Sequence, residues 1–89
     1  MKALEIYVSG VVQGVGFRYY TTRIAKELGI KGFVKNLPDG RVYIYAVGEE
    51  NSLEKFISYV RQGPPLAVVR DVEIRNAEIK EFERFEVKR

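Results

Sequence analysis

Apolar residues alternate with more polar ones at the start of the chain and then change to a helical spacing. Leu4, Ile6 and Val8 recur with a period of two, which predicts a first strand with one buried face. A glycine-rich stretch follows, and apolar or small residues then recur every three or four positions until Gly29, which supplies a helix stop. Residues 17–28 are therefore predicted to form an amphipathic helix.

The middle of the chain carries the pattern of a β-hairpin. Residues 31–37 are predicted to form a second strand, and Pro38-Asp39-Gly40 is a turn signal. Beyond the turn, Val42, Ile44 and Ala46 alternate with tyrosines and a valine. Strands two and three are thus expected to pair in antiparallel fashion.

A second helix is predicted from Asn51, which together with Glu54 forms a capping-box-like pair, and Gly63-Pro64-Pro65 ends it. An alternating segment around Val72 and a short terminal segment at residues 85–87 complete the chain. The order β-α-β-β-α-β predicts an α+β, ferredoxin-like sandwich over residues 1–89 as one domain. Its antiparallel sheet is expected to carry both helices on one face, with a possible short extra C-terminal strand.

Composition narrows the chemistry that this domain can perform. The 89 residues include no cysteine and no histidine, which excludes thiolate chemistry and removes the commonest general base and metal ligand. We therefore expect neither a metal nor any other cofactor. No apolar run reaches the roughly 18 residues of a membrane span, and no signal-peptide pattern opens the chain, so a cytoplasmic protein without a membrane partner is expected.

Charge is unevenly distributed along the chain. Residues 1–45 hold seven Lys or Arg against three Asp or Glu, whereas residues 46–89 hold eight against nine, for a net charge of +3. This field would attract small anions, although a surface of mixed sign explains it equally well. Charged residues form 30% of the chain beside only five Asn and Gln, a composition typical of thermostable proteins.

The segment GVVQGVGFR, from Gly10 to Arg18, joins the first strand to the first helix. A cation in the first turn of a helix opposes the macrodipole by about 0.3–1 kcal/mol unless an anion lies between them. Gly14 and Gly16 would let backbone N–H groups converge on such an anion without a Cβ in the way. Two other interpretations stay open: a tight structural turn, and a dinucleotide fingerprint, although Tyr19 stands where that fingerprint needs glycine.

Asn36, at the end of the predicted second strand, is the second candidate site residue. In a β-α-β-β layout the end of this strand approaches the end of the first, so the amide could reach a group held in the glycine loop. An asparagine beside Leu-Pro-Asp-Gly is also a common turn former.

The segments GVVQGVGFR at residues 10–18 and GFVKNLPDGRV at residues 32–42 resemble the two motifs of the acylphosphatase family, and the resemblance spans the chain from first strand to last. It implies hydrolysis of small acyl phosphates to a carboxylate and inorganic phosphate by a metal-free monomer that inorganic phosphate would inhibit. Arg18 corresponds to the phosphate-binding arginine and Asn36 to the water-positioning asparagine. The phosphate-binding loop corresponds to the backbone of Gln13, Gly14, Val15, Gly16 and Phe17.

Two other functions share these features. RNA-recognition domains have the same element order and use aromatic residues on an open sheet face, and Lys31 to Val34 faintly resembles their aromatic motif. That motif belongs on the third strand of such domains, so no nucleic-acid partner is expected. The same two motifs also begin some hydrogenase-maturation proteins of carbamoyl-transfer assemblies, but no zinc-finger cysteines follow here.

Overall fold

Five strands and two helices form the molecule, and the structure, a computed structural model, describes residues 1–89. The elements agree in order and type with those predicted from the hydrophobic pattern. They are β1 (Lys2–Val11), α1 (Phe17–Glu27), β2 (Lys31–Asn36), β3 (Val42–Gly48), α2 (Glu50–Gln62), β4 (Val68–Ala77) and β5 (Phe85–Lys88).

The strands form one sheet in the order β4-β1-β3-β2-β5. β1 to β4 pair in antiparallel fashion, as predicted, whereas the extra C-terminal strand β5 runs parallel to β2, so the five-stranded sheet is mixed. β1, β2 and β5 consequently point the same way, and their carboxyl ends lie at one end of the sheet. Because α1 follows β1 through a short loop, its N-terminus begins at that same end.

The core lies between the sheet and the two helices, which pack on the same sheet face as predicted. Alternate residues of the central strands, such as Ile6, Val34 and Ile44, are completely buried there. Phe56 of α2 meets Phe85 of β5 edge to face, with ring centroids 6.1 Å apart. Burial of each large apolar side chain contributes about 1.5–3 kcal/mol, which explains why the period-two and helical patterns specify this layer so clearly.

The predicted start of the second helix is wrong. α2 begins at Glu50, with Glu49 as its N-cap residue, and no side chain caps it. The Glu49 carbonyl accepts the N–H of Leu53 at 2.9 Å, and Asn51 lies exposed within the first turn. Since β3 continues to Gly48, the helix must begin immediately afterwards, and the acidic residues at its start interact favourably with the helix dipole without a capping box.

The sheet face opposite the helices is partly covered. Tyr45 is only 4% exposed, because its hydroxyl donates to the Glu78 carbonyl and accepts the Lys80 N–H, which holds residues 78–82 over the sheet. Phe33 stacks on Tyr45, and Lys88 lies over the Phe33 ring with Nζ 4.3 Å from its centroid. The aromatic side chains here therefore pack on one another and beneath cations. Neither helix is long and apolar enough to cross a membrane.

Candidate active site

A cavity of about 570 Å³ lies at the end of the sheet where β1, β2 and β5 terminate. It brings together the glycine loop, the first turns of α1 and the ends of β2 and β5. Its lining consists of Val12, Gly14, Gly16, Phe17, Arg18, Tyr19, Thr22, Asn36, Val87 and Arg89. The two candidate side chains predicted from sequence, Arg18 and Asn36, thus lie in one site together with three of the five loop residues.

The loop before α1 lines this cavity and carries backbone donors without protein acceptors. Gly14 and Gly16 have φ values of 75° and 80°, a left-handed conformation that side chains disfavour, and Gly16 is the N-cap residue of α1 without a side-chain cap. No N–H group from Gln13 to Gly16 donates to a protein acceptor. The first N–H groups of α1 also lack partners within the helix. The loop and helix start therefore form a concentrated set of donors suited to an anion.

Arg18 occupies the second position of α1 and is half-buried. It takes part in none of the four ion pairs of the molecule, and the first turn of α1 contains no acidic residue. The guanidinium therefore adds its charge to the positive end of the helix with nothing to compensate it. This arrangement is unfavourable in isolation and becomes favourable when a dianion lies between them.

Asn36 ends β2 and pairs with Val42 of β3. Its side-chain oxygen Oδ1 is buried and has no hydrogen-bond partner. A buried acceptor left without a donor costs about 1–3 kcal/mol. The residue lines the cavity together with Arg18 and also stands directly before the hairpin turn.

Gln13, which was predicted to contribute its backbone to the loop, also makes side-chain hydrogen bonds. Its side-chain amide does not line the cavity but donates from Nε2 to the carbonyl oxygens of Leu37 and Arg41, at 2.8 and 2.9 Å. These carbonyls belong to the turn that follows Asn36. The Gln13 side chain thus connects the glycine loop to the hairpin. Val15, the other loop residue outside the cavity lining, packs against the core.

The hairpin turn is reinforced from within. The carboxylate of Asp39 accepts the backbone N–H of Arg41 at 3.0 Å and its Nε at 2.8 Å. The hydrogen bond from the Arg41 backbone N–H, which has the larger effect, and the one from its side chain hold the pKa of the Asp39 carboxyl below its usual range. The turn is therefore ordered by charge as well as by its proline and glycine.

Five cavity residues were not predicted from the sequence: Val12, Tyr19, Thr22, Val87 and Arg89. Thr22 donates its hydroxyl to the Arg18 carbonyl at 2.8 Å. No Asp or Glu lines the cavity, and no group of three or more His, Cys, Asp or Glu side chains is placed to hold a metal ion. The site is cationic and rich in hydrogen-bond donors.

The fold and this cavity define a small α+β sandwich with a cavity lined by two arginines at the carboxyl ends of three of its strands. A family model for acylphosphatase matches residues 4–87, so the chain belongs to the acylphosphatase family. Membership implies an enzyme that hydrolyses acyl phosphates, as the motif resemblance predicted.

Individual relatives agree with this assignment. The chain is 74% identical over 87 residues to an acylphosphatase of Archaeoglobus fulgidus, covering 98% of each chain. It is 52% identical over 88 residues to an acylphosphatase of Thermotoga maritima, covering 99% of this chain and 98% of that one. The crystal structure of acylphosphatase from Bacillus subtilis has a TM-score of 0.97 at 39% identity, with 100% of both chains covered.

The fold also occurs inside a larger protein. Full-length HypF, in a phosphate- and nucleotide-bound form, aligns with a TM-score of 0.89 and 34% identity. The alignment covers 98% of this chain but only 12% of that one.

Proposed function

We propose that this enzyme hydrolyses acyl phosphates by direct attack of a water molecule that Asn36 orients. The observation that carries the proposal is the buried Oδ1 of Asn36, which has no partner within the protein and lies in the same cavity wall as Arg18. The substrate is a small acyl phosphate, and the products are a carboxylate and inorganic phosphate.

The phosphoryl group binds at the start of α1. Backbone N–H groups of the loop from Gln13 to Phe17 hold its oxygens, and Arg18 binds the same group through its planar fork of donors. Charge on the phosphoryl oxygens in the transition state meets donors that are already in place, and one such donor typically contributes on the order of 3 kcal/mol. The loop and the arginine thus supply electrostatic stabilisation that a metal ion supplies in other phosphoryl-transfer enzymes.

Asn36 has a positioning role, because an amide is no base near neutral pH. Its Oδ1 accepts a hydrogen bond from the attacking water and fixes the direction of the water lone pair. The water oxygen bonds to phosphorus while the bond from phosphorus to the acyl oxygen breaks, and the carboxylate leaves with the bonding electron pair. The water proton passes to a phosphate oxygen, since no histidine exists and no Asp or Glu side chain lines the cavity.

No covalent phosphoenzyme forms in this scheme. The chain contains neither cysteine nor histidine. Two hydroxyl side chains line the cavity, those of Tyr19 and Thr22; the Thr22 hydroxyl donates to a backbone carbonyl, and no Asp or Glu side chain lines the cavity to activate either one. Inorganic phosphate, as the product, occupies the same donors and inhibits. We further propose that the enzyme acts as a cytoplasmic monomer.

The decisive experiment separates chemistry from binding at Asn36. Acetyl phosphate hydrolysis is measured with a chelator present, and inorganic phosphate affinity is measured by isothermal titration calorimetry. Asn36→Ala is expected to lower kcat about 100-fold or more while phosphate binds within about threefold of wild type. Asn76→Ala, an exposed asparagine on β4, serves as the matched control.

Arg18→Ala tests the other half of the site. It is expected to weaken phosphate binding and lower kcat together, because the cation acts on the phosphoryl group in both states. Arg23→Ala removes an exposed arginine of the same helix and controls for net charge. A near-normal kcat in Asn36→Ala, or a trapped phosphorylated protein, would refute this mechanism.

A further inference from the structure

The cavity extends beyond the groups that hold the phosphoryl group. A volume of about 570 Å³ lies in the range of roughly 300–1,000 Å³ typical of small-molecule sites, whereas phosphate is no larger than a few water molecules. The part not used by the loop, Arg18 and Asn36 lies between α1 and the end of β5. Tyr19 and Thr22 line it from the helix, and Val87 and Arg89 line it from the strand. We call these four residues the acyl cleft.

The acyl cleft has uncovered apolar walls. The side chain of Tyr19 is 74% exposed although it is aromatic, and Val87 is 46% exposed. Each lies beside a group of the phosphate site: Tyr19 follows Arg18 in the first turn of α1, and Val87 pairs with Val34, two residues before Asn36. Carbon atoms attached to a bound phosphoryl group would thus lie between two apolar surfaces.

Arg89 places a second cation at this end of the cavity. Lys88 pairs with Lys35 across the parallel strands, so Arg89 lies beside Asn36 at the sheet end. Like Arg18, it takes part in no ion pair, and no acidic residue lines the cavity. The guanidinium side chains of Arg18 and Arg89 therefore line the same cavity.

We infer that Arg89 is a specificity-determining residue that favours acyl phosphates bearing a second negative group on the acyl part. The inference rests on the proposed function, because it takes the phosphoryl group to be held by the loop and Arg18. The phosphoryl group occupies the inner donors, the carbon skeleton lies on Tyr19 and Val87, and a carboxylate or phosphate at the far end meets Arg89. The ligand is an acyl phosphate with two anionic ends.

A matched pair of rigid substrates tests the charge preference. 4-Carboxybenzoyl phosphate and 4-carbamoylbenzoyl phosphate have the same shape, and only the first carries the second charge. The ratio of their kcat/KM values in the wild-type enzyme is expected to favour the carboxylate about threefold to fivefold, the size typical of exposed charge pairs. Because such pairs are screened, the ratio is expected to fall when ionic strength rises from about 0.05 to 0.5 M.

Variants then assign the preference to one residue. Arg89→Ala is expected to bring the ratio to about one, and Arg89→Lys to retain most of it, since the charge remains. Arg23→Ala removes a charge outside the cavity and should leave the ratio unchanged. The inhibition constant of inorganic phosphate is measured for each variant, because a change there reports on the phosphoryl site and not on the acyl cleft.

The possible outcomes are distinct. A wild-type ratio near one, or a ratio that persists in Arg89→Ala, overturns the inference while leaving the proposed function intact. A loss of phosphate affinity in Arg89→Ala with an unchanged ratio assigns Arg89 to the phosphoryl group and also overturns it. A wild-type protein that hydrolyses neither benzoyl compound nor acetyl phosphate refutes the proposed function itself.

Discussion

The side chain of Gln13 connects the glycine loop to the hairpin that carries Asn36, and its removal gives a quantitative test of the site architecture. Nε2 donates to the carbonyls of Leu37 and Arg41 at 2.8 and 2.9 Å. The substitution Gln13→Met keeps the length of the side chain and removes both donors without adding charge. We expect it to lower both stability and catalytic efficiency.

The size of the stability loss follows from what the two carbonyls retain. The Leu37 carbonyl still accepts the Gly40 N–H at 3.1 Å, and the Arg41 carbonyl still accepts the Leu37 N–H at 2.8 Å. Neither carbonyl is therefore left without a partner, so the loss is the net value of two hydrogen bonds, about 1–3 kcal/mol. For a domain of this size, each kcal/mol lowers Tm by roughly 4–8 °C, so a loss near 2 kcal/mol corresponds to about 8–16 °C.

Calorimetry and urea denaturation measure the stability loss, and steady-state kinetics with acetyl phosphate measure the second effect. Since a displacement of about 1 Å in an active site lowers rates up to 100-fold, kcat/KM is expected to fall more than tenfold. Gln62→Met, at the exposed end of α2, controls for the chemical change. A Gln13→Met protein that melts within about 2 °C of wild type and retains half of its kcat/KM would show that the loop and the hairpin are held by other contacts.

Three further predictions concern the loop, the hairpin and the whole fold. Gly14→Val places a β-branched residue at φ 75° with open space around its Cβ. Backbone strain should lower stability by roughly 1–2 kcal/mol, measured by urea denaturation. Steady-state kinetics should show a loss of activity larger than this loss of stability explains. Because the pKa of Asp39 is lower in the folded protein than in the unfolded chain, where it is near 4, its carboxylate stabilises the fold above about pH 4, and this stabilisation is lost as the pH falls below about 4. Asp39→Asn should therefore make Tm depend less on pH in the acid range. The wild-type Tm should exceed about 65 °C by calorimetry, and a midpoint in the mesophile range would contradict the interpretation of the composition.

The hydrophobic pattern predicted every element because the main core is one layer between the sheet and the helices. Strands such as β1 bury Leu4, Ile6 and Val8 in this layer, and both helices present one apolar face to it, so local periodicity and tertiary burial agree. The direction of β5 was not predictable in this way. Its four residues carry no information about which strand they will join, and their parallel pairing with β2 depends on the path of residues 78–84 across the sheet.

The start of α2 shows a different limit. Asn51 and Glu54 have the spacing of a capping box, but the pairing of β3 with β1 continues to Gly48 and fixes where the helix begins. Sheet hydrogen bonds thus override a local signal that contributes about 1 kcal/mol. The burial of Tyr45 has a similar origin, because its neighbours at residues 78–82 are distant in the sequence.

Within the site, residues that the loop geometry requires were predictable and residues that only topology brings near were not. Gly14, Gly16 and Arg18 were predicted together from the glycine pattern and the cation that follows it, and all three line the cavity. Arg89 is 71 residues away from Arg18 in sequence, and nothing in its local context connects the two. The side-chain role of Gln13 was hidden as well, since its partners are backbone carbonyls, which every residue possesses.

The arrangement around Arg18 ties the function to the stability of the free enzyme. The N-terminus of α1, loop N–H groups without protein partners, Arg18 and Arg89 lie together at one cavity that no Asp or Glu side chain lines. Their mutual repulsion and the unpartnered Oδ1 of Asn36 are unfavourable in the folded state, and the buried sheet core must offset them. In the mechanism that we propose, a phosphoryl group would remove the repulsion and a water molecule on Asn36 would satisfy the oxygen. Donors placed before the substrate arrives need no reorganisation in the transition state, and this is the physical reason for an enzyme to tolerate such a site in its folded state.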